Sequence, residues 1–434
     1  MCEPFTKWKF TSLRNAAEKT KNSFIDGDWI EAPYITDSGI RLIQTGNIGR
    51  GYLIEKTSSR KYISKQTFQE LRCSWVHSGD ILICRLADPI GRACNVPDGL
   101  DKSVTSVDVT IMRVNREEFH PRFVLHYLNS DRNLKKAADI AGGSTRSRIS
   151  RTNLGSLNIP TPPLPQQQKI AQVLDTLDTQ IQKTEALITK LEKIKEGLLH
   201  DLLTRGIDQN GQLRPVPEQA PELYKESALG LIPKVWEIRQ LQDVASVERG
   251  QFTHRPRNDP KFYGGPYPFI QTGDIARSRG KLVSSYSQTL SSKGLAASKR
   301  FPAGTIAVTI AANIADSAIL ALPMYFPDSV VGIIPADGIS TRFIELCIRR
   351  AKPRLDARAP QSAQKNINLQ DLRPLQIPVP NQSEQQLIAE TYESIARRIA
   401  HETGYLSKLT LQKVGLMDDL LTGRVRVTSL LSNS

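Results

Sequence analysis

The sequence has few cysteines and no long apolar run. Its five cysteines are odd in number and widely spaced, at Cys2, Cys73, Cys84, Cys94 and Cys347. That spacing argues against a disulfide framework and favours reduced thiols. No run approaches the ~18–20 apolar residues that span a bilayer, and the opening residues MCEPFTKWKF lack the apolar core of a signal peptide. We therefore expect a cytoplasmic protein without a membrane segment.

Motifs that support catalysis or hold a metal are also missing from the sequence. There is no Walker phosphate loop, no N-P-P-[YF] tetrapeptide of an amino-methyltransferase and no Gly-rich nucleotide turn. A zinc site at Cys73, His77, Cys84 and Cys94 would lack any C-x-x-C pair. Pro97-Asp98 fits an ordinary turn better than a nuclease carboxylate, and the six histidines are scattered. We predict no catalytic residue, no metal site and no cofactor on this chain.

Acidic residues are outnumbered by basic ones. The 434 residues contain 58 Lys and Arg against 44 Asp and Glu, a formal net charge of +14. A surplus of that size favours a polyanionic partner, of which nucleic acid is the commonest. A basic enzyme would show the same surplus. The length exceeds that of one ordinary core, so we expect two domains or two copies of one domain.

An internal repeat organises the chain. The segment IPTPPLPQQQKIA, which begins at Ile159, returns as IPVPNQSEQQLIA from Ile377. Other matched pairs are LIQTGNI with FIQTGDI, SGDILICRL with AGTIAVTIA, and RFVLHYL with RFIELCI. The SGDILICRL pair is typical of buried strands after a glycine turn, and the RFVLHYL pair is typical of helices. Each half is predicted to be a mixed α+β lobe of about 150 residues followed by a long helix.

Both long helices carry a heptad-like apolar seam. Successive seam positions lie alternately four and three residues apart along each helix. The polar exceptions fall at equivalent positions in the two helices, Thr184 with Glu402 and Lys195 with Lys413. A first helix from Gln166 to Leu203 would be about 57 Å long. We expect Pro165 to begin it, and Asn381 or Ser383 to cap the second helix. The apolar seam positions are Leu174, Leu177, Ile181, Ile188, Leu191 and Leu198, then Tyr392, Ile395, Ile399, Leu406, Leu409 and Leu416.

These observations predict an α+β fold of two similar lobes joined by two long antiparallel coiled-coil helices, related by a pseudo-two-fold axis. Antiparallel pairing is favoured because parallel helices would need a connection back along their whole length. The alternative is that each helix packs only on its own lobe. The predicted segments are lobe one at 1–158, long helix one at 159–207, a linker at 208–228, lobe two at 229–376, and long helix two with a tail at 377–434.

Basic and amide side chains recur in matched loops of the two lobes. Arg suits guanine edges and phosphates, Gln and Asn suit adenine, and Thr suits phosphate. Any one of these residues could instead be a solvated surface group. We also expect a positive φ at Gly46 and Gly273, inside the two matched turns. The candidate DNA-binding residues are Gln44, Thr45, Asn47, Arg50, Arg85, Arg92, Arg146, Arg148 and Arg151, then Arg255, Arg257, Gln271, Thr272, Asp274, Arg277, Arg279, Gln364 and Lys365.

The whole arrangement resembles the specificity subunit of type I restriction–modification enzymes. The resemblance is carried by the proline entry and the Gln-Gln-x-Ile-Ala helix ending in Leu-Leu-Thr, present at Ile159–Thr204 and again at Ile377–Arg424. LGLIPKVWEIRQL, Leu229–Leu241, adds to it, and the likeness covers essentially the whole chain. One departure is Arg205-Gly206 in the first copy against Gly423-Arg424 in the second.

The resemblance implies a non-catalytic subunit whose lobes are target recognition domains, each recognising half of a split DNA sequence. The helices would set the spacing and dock two modification subunits, which bind S-adenosylmethionine and methylate adenine. Motor-nuclease subunits, using ATP and Mg²⁺, would join for cleavage of double-stranded DNA. The competing hypotheses are a DNA-modifying or DNA-cleaving enzyme with a divergent site, and a coiled-coil adaptor that never touches DNA.

Two further expectations concern assembly and target. Near the helix starts, the outer faces with Gln167, Gln168, Gln385 and Gln386 should be open to partner subunits. The lobes diverge where base-reading loops should lie, because CRLADPIGRAC has no close counterpart in TIAANIADSAI. We therefore expect unlike half-sites. The length of the helices further predicts that the half-sites lie about one helical turn of DNA apart.

Overall fold

The computed structural model describes residues 8–100, 102–143, 147–253, 259–311, 313–358 and 366–431. The chain divides into two compact units. Unit 1 is Met1–Ala186 with Thr403–Ser434, and unit 2 is Leu187–Glu402. Lobe one belongs to unit 1 and lobe two to unit 2. Each unit also contains one part of each long helix.

Lobe one consists of short strands and short helices. Its strands are β1 (Phe10–Ser12), β2 (Phe24–Asp26), β3 (Ile35–Thr36), β4 (Ile40–Ile43), β5 (Lys61–Ile63), β6 (Ile81–Cys84), β7 (Ala93–Asn95), β8 (Ser103–Thr105), β9 (Val109–Met112) and β10 (Asn158–Pro160). Its helices are α1 (Lys65–Glu70), α2 (Pro121–Leu128), α3 (Asp131–Asp139) and α4 (Arg151–Ser156). The first long helix, α5 (Leu164–Leu202), follows.

Lobe two repeats this plan. Its strands are β11 (Tyr224–Lys225), β12 (Ile232–Pro233), β13 (Glu237–Gln240), β14 (Ala245–Arg249), β15 (Tyr263–Phe269), β16 (Leu282–Val283), β17 (Gln288–Leu290), β18 (Lys299–Phe301), β19 (Ile306–Thr309), β20 (Ser317–Leu320), β21 (Met324–Phe326), β22 (Val330–Pro335) and β23 (Gln376–Val379). Its helices are α6 (Leu241–Val244), α7 (Thr272–Ser278), α8 (Ser292–Leu295), α9 (Thr341–Arg358) and α10 (Leu369–Leu372), and the second long helix is α11 (Gln382–Thr422).

The sheets of the two lobes share most of their strand order; in the second sheets β5-β4-β8 matches β17-β15-β21, while β3 and β18 have no counterpart. Lobe one has a sheet of order β2-β9-β6-β7, and lobe two has β14-β22-β19-β20 with β16 added at its edge. The second sheets are β3-β5-β4-β8 and β17-β15-β21-β18, and each contains one parallel pair, β4 with β8 and β15 with β21. Each lobe also has a two-stranded antiparallel sheet, β1 with β10 in lobe one and β13 with β23 in lobe two. It joins the start of the lobe to the segment before the long helix.

The central strands β6 and β19 are buried on both faces. In β6, Ile81 and Ile83 pack in one core cluster with Phe123 of α2. Leu82 alternates with them and packs in another cluster with Ile43 of β4. Side chains alternate across a strand, so an unbroken apolar run is what a strand between a helix and a second sheet requires. The strand and helix predictions for SGDILICRL and RFVLHYL are confirmed.

The long helices pair in opposite directions. In unit 1, Leu174 near the start of α5 shares a buried cluster with Leu420 and Leu421 at the end of α11. In unit 2, Leu202 at the end of α5 shares a buried cluster with Ile388 near the start of α11. Start meets end in both units, so the predicted antiparallel pairing is confirmed. The alternative that each helix packs only on its own lobe is wrong.

The seam positions predicted from the heptad pattern are buried or half-buried along both helices. The two lysines within the seam have different contacts: the Nζ atom of Lys195 lies 5.4 Å from the Tyr392 ring centroid, and Lys413 forms an ion pair with Asp178. Helix α5 begins at Leu164, one residue before the predicted Pro165. For α11, the Oδ1 atom of Asn381 accepts a 2.9 Å hydrogen bond from the Glu384 amide, so Asn381 is the cap. Among the described helices, none is long and apolar enough to cross a membrane.

Candidate nucleic-acid interface

A repeated turn marks the same place in both lobes. The amide of Gln44 donates to Asn47 Oδ1 at 3.0 Å, and the amide of Gln271 donates to Asp274 Oδ2 at 2.9 Å. In each lobe the Gln side chain accepts from the backbone of the same partner, which closes a capping box. Asn47 also donates to the Ile54 carbonyl, and Asp274 is buried and accepts from Ser287. The polar groups of Asn47 and Asp274 thus hold the turn, and their assignment as DNA contacts stays a prediction.

The glycines of these turns lie beside basic side chains. Neither Gly46 nor Gly273 has a positive φ, so the prediction of a left-handed conformation is wrong. Both lie in helical turns, Thr45–Asn47 and Thr272–Ser278. A Cβ on Gly46 would lie 2.9 Å from Lys56 Nζ, and one on Gly273 would lie 3.4 Å from a guanidinium nitrogen of Arg277. In both lobes a basic side chain therefore ends beside the glycine of the turn.

In lobe one the turn forms one wall of an open cleft of about 640 Å³. Trp29, Lys56 and Lys61 lie on other parts of its lining. The Trp29 side chain is 66% exposed, and its indole N–H donates to Glu31 Oε1 at 2.9 Å. Acceptors are provided by Glu31 and by Asp28, whose pKa is raised by burial. An aromatic face beside mixed donors and acceptors has the chemistry that recognises base faces and base edges.

The equivalent position of lobe two is closed. In both lobes a glycine ends the strand, and its amide donates at 2.8 Å to a valine carbonyl, Gly27 to Val109 and Gly250 to Val330. Two residues later the chain carries Trp29 in lobe one and Phe252 in lobe two. Phe252 is only 3% exposed and lies 5.5 Å, centroid to centroid, from Phe269. The same backbone position therefore presents an aromatic ring to solvent in one lobe and buries it in the other.

Two of the predicted lobe-one contacts are internal. Arg85 is 3% exposed, donates to the Ile149 and Val107 carbonyls, and burial lowers its pKa. The guanidinium of Arg92 donates to four backbone carbonyls, those of Thr45, Ile48, Leu86 and Pro89. These arginines join loops of the lobe through internal hydrogen bonds, and their assignment as DNA contacts stays a prediction. Sequence proximity to a strand did not show which way the side chains turn.

The other predicted residues remain at or near the surface. Arg50 is exposed and donates to Asp131 Oδ1 at 2.7 Å, away from the cleft. Arg148 pairs with Asp108 at 2.9 Å, and Arg151 is exposed at the start of α4. In lobe two Arg277 pairs with Asp274, Arg279 is exposed, and Thr272 and Gln271 are half-buried. Arg146, Arg255, Arg257, Gln364 and Lys365 lie outside the described residues.

The repeated glutamines at the helix starts hold the helices to the lobes. Gln167 Nε2 donates to the Pro162 carbonyl at 2.8 Å, and its Oε1 accepts from the His120 amide at 2.9 Å. Gln385 makes the same two bonds, with Pro380 and Ser340, both at 2.9 Å. Gln167 and Gln385 are 0% and 2% exposed, so the prediction that they face partner subunits is wrong. Gln168 and Gln386 are exposed.

A second repeated link is an ion pair between lobe and helix. Arg122 binds Asp175 through Nε at 2.9 Å in lobe one, and Arg342 binds Glu393 through Nε at 2.7 Å in lobe two. Burial opposes ionisation of Asp175, but hydrogen bonds from His126 and Arg122 outweigh it and lower the pKa from 3.8 to about 2. The sequence signal for this ion pair was the Arg-Phe dipeptide that begins both RFVLHYL and RFIELCI.

One group of described residues has the donor types of a metal site. Side-chain donor atoms of His126, Asp175 and Asp178 lie within 4.8 Å of one another. Asp175 is already bound by Arg122, and Asp178 by Lys413. Two cations would repel a metal ion at this point, so the group is an ion-pair cluster. Cys73, Cys84, Cys94 and Cys347 are buried free thiols, and burial raises the pKa of Cys73 and Cys94 to about 12.

Two α+β lobes repeated with two antiparallel long helices define the fold of a DNA-specificity subunit. A family model described as "Type I restriction modification DNA specificity domain" matches residues 11–193 and again 233–411. The chain belongs to this family. It is therefore the sequence-recognition subunit of a type I restriction–modification system and not itself an enzyme.

Individual relatives agree with this assignment. The putative type I restriction enzyme MjaX specificity subunit of Methanocaldococcus jannaschii is 24% identical, over 80% of this chain and 79% of the relative. The HindI specificity subunit of Haemophilus influenzae is 22% identical, over 81% of this chain and 87% of the relative. A solved type I S subunit from M. genitalium superposes with a TM-score of 0.57 at 14% identity, over 97% of both chains, which shows the shared fold.

Proposed function

We propose that the chain recognises a split, asymmetric DNA target, one half-site per lobe, and that the lobe-one cleft contacts bases of its half-site. The observation that carries this proposal is the difference at Trp29 and Phe252 on an otherwise repeated frame. Two unlike surfaces at the same position of two similar lobes favour two unlike half-sites. Lys56 and Lys61 would contact phosphates or guanine edges, and Trp29 would contact a base or sugar face.

We also propose that the outer faces of α5 and α11 dock two modification subunits. A repeated surface offers the same site twice, which favours two copies. S-adenosylmethionine, ATP and Mg²⁺ would then be bound by the modification subunits and the motor-nuclease subunits, and this chain would act in the cytoplasm with its DNA. A second modification subunit that fails to bind at saturation would contradict this stoichiometry.

The test of the lobe-one proposal is a methylome. Hosts would carry the modification subunits with either the wild-type chain or a Lys56→Ala/Lys61→Ala/Trp29→Ala variant. We expect the variant to relax the sequence of one half-site, by roughly 1–3 kcal/mol per lost base contact, while the other half-site stays unchanged. Lys65→Ala, which alters an exposed lysine outside the cleft, is the matched control. Relaxation of both half-sites, or of neither, would remove the cleft from the DNA interface.

The role of the helices is tested by changing their length. One heptad inserted after Leu191 and another after Leu409 would keep the seam in register and add about 10 Å to each helix. We expect the unread spacer in the target to lengthen by a few base pairs while both half-site sequences persist. A spacer that does not respond would show that the helices do not set it.

A further inference from the structure

Beside the repeated turn, one cross-strand position carries different chemistry in the two lobes. Leu42 of β4 pairs with Lys61 of β5, and Phe269 of β15 pairs with Gln288 of β17. Leu42 and Phe269 correspond to each other, because each lies two residues before the glutamine that opens the turn. The strand register therefore places Lys61 and Gln288 at corresponding positions.

In lobe two the neighbouring groups fix the orientation of the Gln288 amide. The Gln271 side chain accepts a hydrogen bond from the Asp274 amide in the capping box, so its oxygen faces the backbone and its nitrogen is left as a donor. That nitrogen donates to Gln288 Oε1 at 3.0 Å. Gln288 is half-buried, and its Nε2 atom has no hydrogen-bond partner among the residues that the structure describes. Gln288 thus presents a donor group beside an oxygen that can accept a second hydrogen bond.

In lobe one the groups along the turn are donors. The Gln44 side chain accepts from the Asn47 amide in the same way, which leaves its Nε2 atom as the donor on the other side. Gln44, Lys56 and Lys61 line the same cleft, and both lysines are exposed. The turn side of the lobe-one cleft therefore offers one amide nitrogen and two ammonium groups.

The acceptors of the lobe-one cleft belong to a different segment. Asp28 Oδ2 accepts from the Ser74 amide at 2.9 Å, and Glu31 Oε1 accepts from the Trp29 indole at 2.9 Å. These carboxylates precede the turn by more than ten residues and already hold hydrogen bonds within the lobe. They do not change the donor character of the groups along the turn.

Donors alone and a donor beside an acceptor suit different purines. In the major groove guanine presents two acceptors, N7 and O6, whereas adenine presents the acceptor N7 and the N6 amino donor. Ammonium and amide nitrogens match the two acceptors of guanine. A glutamine amide matches the acceptor and donor of adenine.

We propose that the residue at this cross-strand position selects the purine that each lobe reads, guanine at Lys61 and adenine at Gln288. The inference rests on the proposed function, because it requires each lobe to contact bases of its half-site. It gives lobe two a base contact, although its aromatic residue Phe252 is buried. The turn glutamine is common to both lobes, and so is a cation beside the turn glycine, Lys56 or Arg277. A change at one position therefore alters the pattern of donors and acceptors.

The first test exchanges the residue at this position. The full chain, co-expressed with the modification subunits, is titrated with target duplexes in which each purine of both half-sites is changed in turn to the other purine, with its pairing base. We expect Gln288→Lys to prefer guanine at one position where the wild type requires adenine, a change of roughly 5- to 150-fold in relative affinity. Lys61→Gln should prefer adenine at one guanine of the other half-site.

The matched control is Gln242→Lys. Gln242 is an exposed glutamine of lobe two, and it also forms an amide–amide hydrogen bond, from its Nε2 to Gln240 Oε1 at 2.7 Å. The substitution adds the same charge to the same lobe away from the turn, so both half-site sequences should stay unchanged. Thermal denaturation of each variant checks that the fold is intact.

The second test alters the base and keeps the wild-type chain. 7-Deazaadenine lacks the N7 acceptor, and at the position that Gln288 reads it should weaken binding about fivefold. The same duplex should bind Gln288→Ala as tightly as the unmodified duplex does. 7-Deazaguanine at the position that Lys61 reads should give the same pattern with the wild type and Lys61→Ala.

Several outcomes would overturn the inference. They are an unchanged adenine preference in Gln288→Lys, changes by both exchanges in the same half-site, a target that tolerates 7-deazapurines at every purine, and a 7-deazaadenine penalty that persists in Gln288→Ala. The proposed function still stands after such a result if the Lys56→Ala/Lys61→Ala/Trp29→Ala variant relaxes one half-site alone. The failure of this inference is thus distinguishable from the failure of the proposed function.

Discussion

Trp29 in lobe one is 66% exposed, whereas Phe252, at the corresponding position of lobe two, is 3% exposed. Two of the hydrogen bonds that hold each lobe to its helix show no such difference. Gln167 and Gln385 make the same pair of hydrogen bonds, to distances that agree within 0.1 Å. Residues that join lobe to helix are therefore repeated, while residues around the cleft are not. The residues that join each lobe to its helix and the residues of the recognition surface can therefore diverge independently.

The largest expected difference comes from these two aromatic residues. Phe252→Ala should destabilise lobe two by about 3–4 kcal/mol, because it removes a ring from a closed aromatic cluster. Trp29→Ala should change stability by less than about 0.5 kcal/mol, because the ring is mostly in solvent, and should instead weaken specific DNA binding. Urea denaturation and DNA titration of both variants measure the two effects. Equal destabilisation would show that the lobes are alike at this position.

The glycines at the helix ends should also respond unequally. Gly206 and Gly423 both have positive φ, at 67° and 74°, so alanine is strained at either site. A Cβ on Gly206 would collide with Trp236, Glu384 and Arg214, at 2.2–2.5 Å, whereas one on Gly423 would lie 3.1 Å from the ring of Trp8. We expect losses of about 3 kcal/mol for Gly206→Ala and about 1–2 kcal/mol for Gly423→Ala. Thermal unfolding of both variants checks the order, and a reversed order would contradict the packing difference.

The repeated glutamines should respond similarly. Gln167→Ala and Gln385→Ala each leave a buried carbonyl and a half-buried amide without their partner. Gln167 also donates to the Glu118 carbonyl at 2.9 Å. Each variant should cost about 2 kcal/mol, and the third bond should make the Gln167→Ala loss larger by at most about 1 kcal/mol. Gln168→Ala and Gln386→Ala, one residue further on and exposed, are matched controls with little expected effect. A larger loss for Gln385→Ala than for Gln167→Ala would contradict a duplicated contact.

The smallest losses of stability should appear at the lobe–helix ion pairs. Asp175→Asn should cost about 1–2 kcal/mol, reduced from the value its pKa implies because the side chain is 34% exposed. Glu393→Gln should cost less than about 1 kcal/mol, since Glu393 has no partner comparable to His126 among the contacts described for it. The pKa of Asp175 is lowered from 3.8 to about 2, so its stabilisation is complete above pH 4 and is lost as pH falls towards 2. Unfolding measured from pH 2 to 6 should show this loss in the wild type and not in Asp175→Asn.

The elements that sequence predicted well are those whose signal is local and periodic. The seam from Leu174 to Leu198 follows from heptad spacing, and β6 follows from an unbroken apolar run between turns. Side-chain direction could not be predicted in the same way. Arg85 and Arg148 are both basic residues near loops, yet one is buried among backbone carbonyls and the other is exposed. Whether such an arginine is buried depends on which backbone carbonyls, from strands distant in sequence, lie within hydrogen-bonding distance of its guanidinium.

The direction of the repeated glutamine side chains could not be predicted from sequence either. Their recurrence in both copies was visible in sequence, and recurrence on a long helix suggested an exposed docking face. Their partners are backbone groups of His120 and Ser340, which carry no sequence signal. Likewise, Trp29 and Phe252 are both aromatic residues after a glycine, and only the surrounding cluster of Phe262 and Phe269 decides that one of them is covered.

The core of lobe one includes Met417, Leu420, Leu421 and Val427 from the far end of the chain. A ribosome adding roughly 5–20 residues per second would synthesise them about 250 residues after β10, a delay of roughly 10–50 seconds. Among the described residues, the cluster in which lobe two packs on the long helices extends no further along the chain than Tyr392. During synthesis the lobe that is translated first would therefore be completed last, and part of its apolar surface would stay exposed until α11 is made.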